Sequence, residues 1–228
     1  MTDQEISINN SESNIFEIKD CALIAIATGD RAANLKELRD TLNHSSLDSV
    51  YYHFWGSLLQ PRFEEREYNN DFAAWAWYGL HDATLAERLA VVDPTEFIDL
   101  ENLRQELLEI IEERMDEEGS LSYTLASSRF EFIRSQIVIF DTLKRAEAPK
   151  TLAEIIPALS TGSIFYHFID ARRRLDNHSD DFSSWLNGFE DSYLDLCRQL
   201  AAIDPYFGTL SQIKEQLITL FTVYFTQE

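Results

Sequence analysis

Apolar residues recur every three or four positions along most of the chain. This period places them on one face of an α-helix, so the pattern predicts a mainly helical protein. Polar residues fill the positions between them, as in amphipathic helices that share a core. The periodic positions are Leu35, Leu38, Leu42, Val50, Phe54, Leu58, Leu85, Leu89, Val92, Leu100, Leu103, Leu107 and Ile111 in the first half, and Leu152, Ile155, Leu159, Leu210, Ile213, Leu217 and Phe221 in the second.

Short polar side chains mark the predicted helix starts. An Asn, Asp or Thr followed three residues later by Glu, Gln or Asn can satisfy backbone amides that a helix start leaves free. Asp71 and Asp181 are expected to cap one further helix in each half. Pro94 and Pro205 are expected to end the helices before them. The paired positions are Asn34 and Glu37, Asp99 and Asn102, Thr151 and Glu154, and Thr209 and Gln212.

Two segments have a mixed pattern. Residues 22–27 and 130–140 combine helical spacing with β-branched and aromatic residues, which are enriched in strands. The expectation for both segments is helix.

Three segments of the first half return in the same order in the second half. They predict a tandem duplication of a small domain of about five helices, giving two pseudo-symmetric units. The expected organisation is a polar tail at 1–15, a first unit at 16–115, a linker at 116–128 and a second unit at 129–228. The matched segments are Val50-Tyr51-Tyr52-His53-Phe54 with Ile164-Phe165-Tyr166-His167-Phe168, Asp71-Phe72-x-x-Trp75 with Asp181-Phe182-x-x-Trp185, and Leu89-Ala90-x-Val92-Asp93-Pro94 with Leu200-Ala201-x-Ile203-Asp204-Pro205.

The first half resembles a prokaryotic family of domains of unknown function. The resemblance rests on Tyr51-Tyr52-His53, on Asn70-Asp71-Phe72-Ala73-x-Trp75 and on Leu85-Ala86-Glu87-Arg88-Leu89-Ala90. It covers Thr28 to about Met115, and the second half is similar to a diverged copy. The resemblance implies a helical, cytoplasmic protein and assigns no catalytic residue.

The chain is strongly acidic. Its 228 residues include 40 Asp and Glu against 19 Lys and Arg, a net charge of −21. Such a surface repels phosphate backbones and acidic membranes, so both are disfavoured as partners. Residues 50–54 resemble the recognition helix of tetracycline-repressor-type regulators, but residues 47–60 contain no Lys or Arg. The remaining support for DNA binding is the run Arg172-Arg173-Arg174. DNA binding is therefore the least favoured alternative.

Signals for export, membrane insertion and catalysis are missing from the sequence. The longest apolar run, residues 21–27, is far shorter than the about twenty residues of a membrane span. Cys21 and Cys197 lack neighbours at metal-ligand spacing, so reduced thiols and a cytoplasmic location are expected.

No nucleophile motif or phosphate-binding glycine loop is present. Enzyme activity is therefore disfavoured and no cofactor is expected.

Each half pairs a histidine with an aspartate. His53 precedes Asp71, and His167 precedes Asp181, so each imidazole is expected near a carboxylate on the next helix. Such a pair could line a pocket, bind a metal or small molecule, or take part in proton transfer. The other interpretation is structural, with packed histidines and capping aspartates. The spacing matches no known zinc or di-iron motif, and the sequence leaves both interpretations open.

Two tryptophans of the first half have no counterpart in the second. Trp55 and Trp77 correspond to Ile169 and Asn187. They could pack between the halves, or lie on a surface where tryptophan often anchors a partner.

The first hypothesis for function is a non-enzymatic interaction or regulatory protein, which binds a protein with a basic or amphipathic surface. The predicted contact residues are Trp55, Phe63, Trp77, Glu64 and Glu65.

Overall fold

Two long strands open the two halves of the chain and pair with each other. The computed structural model describes residues 15–59 and 67–226. Strands β1 (Phe16–Ala32) and β2 (Phe130–Ala146) form a two-stranded antiparallel sheet, with register shifts near both ends of β1. The pairing runs from Phe16 with Ala146 to Ala32 with Phe130, so the sheet extends along the whole of both strands.

The predicted fold class was wrong. A sheet joins the halves, so the protein has a mixed α/β fold, not a mainly helical one made of two copies of a helical domain. Residues 22–27 and 130–140, expected to be helical, lie in the strands. Their β-branched and aromatic side chains favour the extended backbone. Phe130 and Phe132 are buried and Glu131 between them is exposed, which is the two-residue period of a strand. The sequence analysis took the helical spacing of the same segment as the stronger signal.

Helices follow each strand. After β1 come α1 (Leu35–Leu42), α2 (Leu47–Tyr51), α3 (Asp71–Tyr78), α4 (Ala83–Ala90) and α5 (Leu100–Glu117). After β2 come α6 (Pro149–Ile155), α7 (Thr161–Ile164), α8 (Ala171–Arg174), α9 (Asp181–Leu186), α10 (Leu194–Ala201) and α11 (Leu210–Thr226). Two π-helical segments (Tyr52–Gly56 and Phe165–Asp170) and three 3₁₀ segments (Gly119–Tyr123, Ile156–Ala158 and Asn187–Tyr193) stand between them. In the part of the chain described, no helix is long and apolar enough to cross a membrane.

Three of the predicted helix starts are confirmed. The Asn34 side chain accepts from the amide of Glu37, whose carboxylate accepts from the amide of Ala33. Asp99 caps α5 by accepting from the amide of Asn102. The start of α11 is the third. There the amide of Gln212 donates to Oγ1 of Thr209, and the amide of Thr209 donates to Oε1 of Gln212.

The other helix starts shift by one or two residues. Helix α6 begins at Pro149, not after Thr151, because proline at the first helical position has the right φ and lacks an amide that would need a partner. Asp71 and Asp181 are the first residues of α3 and α9. The caps are the residues just before them, Asn70 and Asp180, whose side chains accept from amides inside the helices.

Each strand begins on the helices of the opposite half. Phe130, which opens β2, stacks on Phe72 of the first half with ring centroids 5.1 Å apart. Phe16, which opens β1, lies against Phe182 and Trp185 of the second half, at 5.5 and 5.3 Å. Both strands then run back to the helices of their own half, where β1 contacts α1 and β2 contacts α6. The two halves therefore share one core.

We expect Phe132→Ala to lower the free energy of unfolding by about 3–5 kcal/mol, because the truncation leaves a cavity in the shared core. Phe132 is 1% exposed, whereas Phe140 on the same strand is 49% exposed. The matched control Phe140→Ala should therefore cost less than about 1 kcal/mol. Guanidinium denaturation followed by tryptophan fluorescence measures both. Equal losses would show that the sheet does not cover the core as described.

Candidate functional site

The predicted pairing of each histidine with an aspartate is present in the structure. Nδ1 of His53 lies 3.0 Å from Oδ2 of Asp71, and Nδ1 of His167 lies 2.7 Å from Oδ2 of Asp181. Both imidazoles are only 2% exposed. The structure therefore brings together the residues that sequence spacing placed near each other.

The other ring nitrogen of each histidine binds a strand of the opposite half. Nε2 of His53 accepts from the backbone amide of Ile133 at 3.2 Å, and Nε2 of His167 accepts from the amide of Lys19 at 2.8 Å. A backbone amide can only donate, so in a neutral ring the proton lies on Nδ1, which donates to the aspartate. Both nitrogens of each ring are thus occupied.

This geometry supports the structural interpretation of the His and Asp positions. A metal ion needs a free nitrogen lone pair, and here the Nε2 lone pair accepts from an amide. Within residues 15–59 and 67–226, no group of three His, Cys, Asp or Glu residues could hold a metal ion. Each His–Asp pair instead fastens a helix of one half to the strand of the other.

Of the five predicted contact residues, the structure describes two, Trp55 and Trp77. Trp55 is 7% exposed, stacks on Tyr51 at 4.8 Å and meets Tyr206 of the second half at 6.1 Å. Of the two alternatives left open for this tryptophan, packing between the halves is the one observed. Trp77 is partly buried beside Tyr68. Phe63, Glu64 and Glu65 lie outside the described residues.

The two cysteines are free thiols. Cys21 is buried and donates to the carbonyl of Gly162 at 3.3 Å. Burial raises the pKa of Cys21 to about 12, and burial likewise raises the pKa of Cys197. Because the thiolate is the nucleophilic form, neither thiol is activated for catalysis at neutral pH.

A cavity of about 360 Å³ lies where the two halves meet. The repeated Asp-Pro turns, Asp93-Pro94 and Asp204-Pro205, both line it. Trp55 and Ile169, which occupy matched positions in the two halves, line it as well. They lie on the two π-helical segments, a backbone form that is often found at functional sites. One of the three matched motifs, the Asp-Pro turn, therefore lines the cavity from both halves.

Arg172 is the most unusual residue of the cavity wall. Its Nε donates to the carbonyl of Phe168 at 3.2 Å, and its guanidinium lies 5.0 Å from the Phe168 ring. Its Nη2 is buried and has no hydrogen-bond partner among the described residues. Burial also lowers the pKa of Arg172. The segment of the first half that matches this one in sequence has Leu58 at the corresponding position.

The neighbouring Arg173 is neutralised within the protein. It lies 3.1 Å from buried Asp170 and covers the ring of Tyr51 at 4.9 Å. Asp170 also binds Arg174 and accepts from the Tyr51 hydroxyl, both at 2.9 Å. Burial raises the pKa of Tyr51 well above its usual value, so the hydroxyl keeps its proton. Within the described residues Arg172 forms no close ion pair, but the carboxylates of Asp180 and Asp204 lie near enough to oppose the effect of burial on its pKa.

Three carboxylates complete the polar part of the wall. Oδ1 of Asp93 accepts from Thr95, Oδ1 of Asp99 from the amide of Asn102, and Oδ1 of Asp204 from two backbone amides. Within the described residues, Oδ2 of each carboxylate receives no hydrogen bond and none forms an ion pair. One oxygen of each therefore remains available to a ligand.

The cavity wall also contains a residue with an unfavourable backbone conformation. His178 has a φ of 52°, in the left-handed region that residues other than glycine seldom adopt. Its Nδ1 lies 3.0 Å from the carbonyl oxygen of Arg172, so it is tied to the unpaired arginine. Such strain is found at ligand sites more often than elsewhere.

The sequence predicted a pocket lined by the two His–Asp pairs, but none of those four residues lines this cavity. The arginines at 172–174 were considered only as contacts to a nucleic-acid backbone. A usable signal was present: the second half has arginine at 172 and 173 where the first half has Leu58 and Leu59. A charge gained at a position that the matched segment fills with leucine points to a role outside the core.

We expect His167→Phe to reduce stability by about 3 kcal/mol, because the substitution leaves the Lys19 amide and Asp181 without their buried partner. Urea denaturation should show this loss, and hydrogen exchange should show faster exchange at the Lys19 amide. His44→Phe, at an exposed histidine, is the matched control and should leave both unchanged. Unaltered protection of Lys19 in the His167 variant would contradict the proposed link.

Comparisons with known proteins place the chain in a family. No curated protein matches it. The solved structure of OrfY from Thermoproteus tenax is similar over 92% of this chain and 94% of that chain, with 25% sequence identity and a TM-score of 0.79. The profile of DUF5752, described as a family of unknown function, matches residues 13–222, which include both halves and not only the first. The chain therefore belongs to the family DUF5752.

Proposed function

We propose that this protein is a non-enzymatic binding protein whose ligand, a small organic molecule, occupies the cavity between the halves. The observation that carries the proposal is the cavity itself, which is lined by both Asp-Pro turns and by one residue of each π-helical segment, Trp55 and Ile169. Cavities between structural units are common sites for small ligands.

The size and lining of the cavity support a small molecule. Its volume of about 360 Å³ falls in the range of small-molecule sites. Apolar side chains form much of the wall, and a few polar groups are grouped at fixed positions, which is the usual composition of such sites. Apolar lining is provided by Trp55, Phe97, Ile98, Ile169 and Ile203.

The groups in the cavity support binding more than catalysis. Among the described residues that line it there is no Ser, Cys or Lys to act as a nucleophile. The hydroxyl of Thr95 donates to Asp93 at 2.7 Å and is held by that bond. The proposal of a cytoplasmic location is supported by the free thiols of Cys21 and Cys197.

Interaction with another protein is the second candidate. The burial of Trp55 weakens the surface first predicted for it. The observation that favours an interaction is elsewhere: Ile24, Ile139 and Phe140 on the sheet are 47–49% exposed. Exposed apolar groups of this kind are common at protein contacts. A ligand-binding protein could contact a basic or amphipathic partner protein through these side chains.

We expect Ala202→Trp to abolish binding of small ligands by filling the cavity mouth. Ala202 is exposed and lines the cavity, so the indole should enter the free space without disturbing the core. The matched control is Val91→Trp, at the equivalent position of the first half, which is 75% exposed and outside the cavity lining. A mixture of small aromatic and aliphatic probe compounds, followed by saturation-transfer NMR, measures binding.

Probe signals should be present with the wild-type protein and the Val91 variant and absent with the Ala202 variant. Equal signals from all three proteins, or none from the wild type, would refute a ligand site in this cavity.

A further inference from the structure

We infer that the protein forms a symmetric dimer in which the outer face of the sheet packs on the same face of a second copy. The inference rests on the second candidate of the proposed function, interaction with a protein, and identifies that partner as another copy of the chain. The face belongs to strands β1 and β2, whose residues are not among the described residues that line the cavity. The dimer and the cavity can therefore be tested separately.

The strand register distinguishes the two faces of the sheet. Residues paired directly across an antiparallel sheet point to the same face, and neighbours along a strand point to opposite faces. Cys21, paired with Ile139, is buried, and Leu23 and Ile137, which pair with each other, pack against the core. These pairs define the inner face. The outer face is formed by the alternate pairs, Asp20 with Phe140, Ala22 with Val138, Ile24 with Gln136, and Ile26 with Arg134.

The outer face is apolar and uncovered. Five of its eight side chains are apolar, and within the described residues these five neither belong to the core nor pack against it. Ile24 is 47% exposed and Phe140 is 49% exposed. An apolar patch that the fold does not cover often marks a contact with another protein.

The middle of the sheet contains no carboxylate. Residues 21–29 and 132–140 include no Asp or Glu, although the chain has 40 of them. A basic partner is recognised by carboxylates, so this face does not suit one. It suits a second acidic copy instead, because repulsion between the more distant charges is screened over about 8 Å at physiological ionic strength.

The two ends of the outer face have opposite charges. Arg134 is exposed at one end, and Asp20 lies at the other end, about 20 Å away along the strands. Within the described residues neither side chain forms an ion pair, and Asp20 accepts only from the amide of Cys21. Both charges are therefore available to a partner whose own charges are placed in the reverse order.

A second copy meets this requirement when a two-fold axis reverses the direction of its strands. Sheets that pack face to face keep their strands nearly aligned, so the end of one patch lies over the opposite end of the other. Each Arg134 then lies beside Asp20 of the other copy and over its exposed Phe140 ring, a favourable position for a guanidinium. A parallel arrangement would bring like charges together. The patch is only two strands wide, so we expect a weak dimer with a micromolar Kd.

Sedimentation velocity of the full-length protein over a concentration series measures the dimer Kd. We expect Ile24→Lys and Phe140→Lys to weaken the dimer about tenfold or more, because each buries a charge in an apolar contact. Ile139→Lys is the matched control. Ile139 is as exposed as Phe140 and adjacent to it, but it lies on the inner face, so its variant should keep the wild-type Kd. Circular dichroism melting confirms that each variant is folded.

Conservative variants at the two ends test the orientation without adding charge to the apolar patch. Arg134→Gln and Asp20→Asn should each weaken the dimer about fivefold, because each removes the same two exposed ion pairs of the symmetric dimer. Asp20→Asn keeps an acceptor for the Cys21 amide, so the strand is not disturbed. The double variant should be no weaker than either single variant, because the two residues act as a pair.

A wild-type protein that stays monomeric at millimolar concentration would overturn the inference. Equal losses from Ile139→Lys and Phe140→Lys would overturn it as well, and additive losses in the double variant would show that the proposed orientation is wrong. A monomer that binds a basic or amphipathic peptide through Phe140 would leave the second candidate function standing with a different partner. Binding of the probe mixture in the cavity is measured independently, so the first candidate function does not depend on this result.

Discussion

Exchange of strands between the two halves is the constraint on which the structure depends, and two buried histidines fix that exchange. Each strand starts on the helices of the opposite half, where its backbone amide donates to His53 or His167. A strand amide without this partner would be buried and unsatisfied, which is costly. Since each half needs the strand of the other to cover its aromatic core, neither half is expected to be stable alone.

The cavity is a consequence of this arrangement. Crossed strands hold the halves in one relative position, which brings the Asp93-Pro94 turn and the Asp204-Pro205 turn to one cavity. The His167–Asp181 pair is connected to the site, because Arg174 binds both Asp181 and Asp170, and Asp170 binds Arg173 in the cavity wall. The interactions that lock the strands therefore also position the polar groups of the cavity. A ligand site at the meeting point of two structural units is a common arrangement.

Local features of this fold could be predicted from sequence, and non-local features could not. The caps at Asn34, Asp99 and Thr209 were predicted because the capping bond joins residues three positions apart. The strands were not, because β1 pairs with residues 98 to 130 positions away and its apolar run is compatible with a helix. The proximity of His53 to Asp71 followed from spacing, but its role did not. The deciding bond comes from the amide of Ile133, on the distant strand.

The sequence difference between the two halves at the cavity supports the proposal that the cavity binds a ligand. The matched segments agree where they build the core and the strand contacts, as in Phe54 with Phe168 and His53 with His167. They disagree at the cavity, where Arg172 stands opposite Leu58 in the alignment of the halves. Partial burial of a guanidinium costs desolvation energy that a leucine at the same place would avoid. A charged residue at this point of the wall therefore favours a binding role over a packing role.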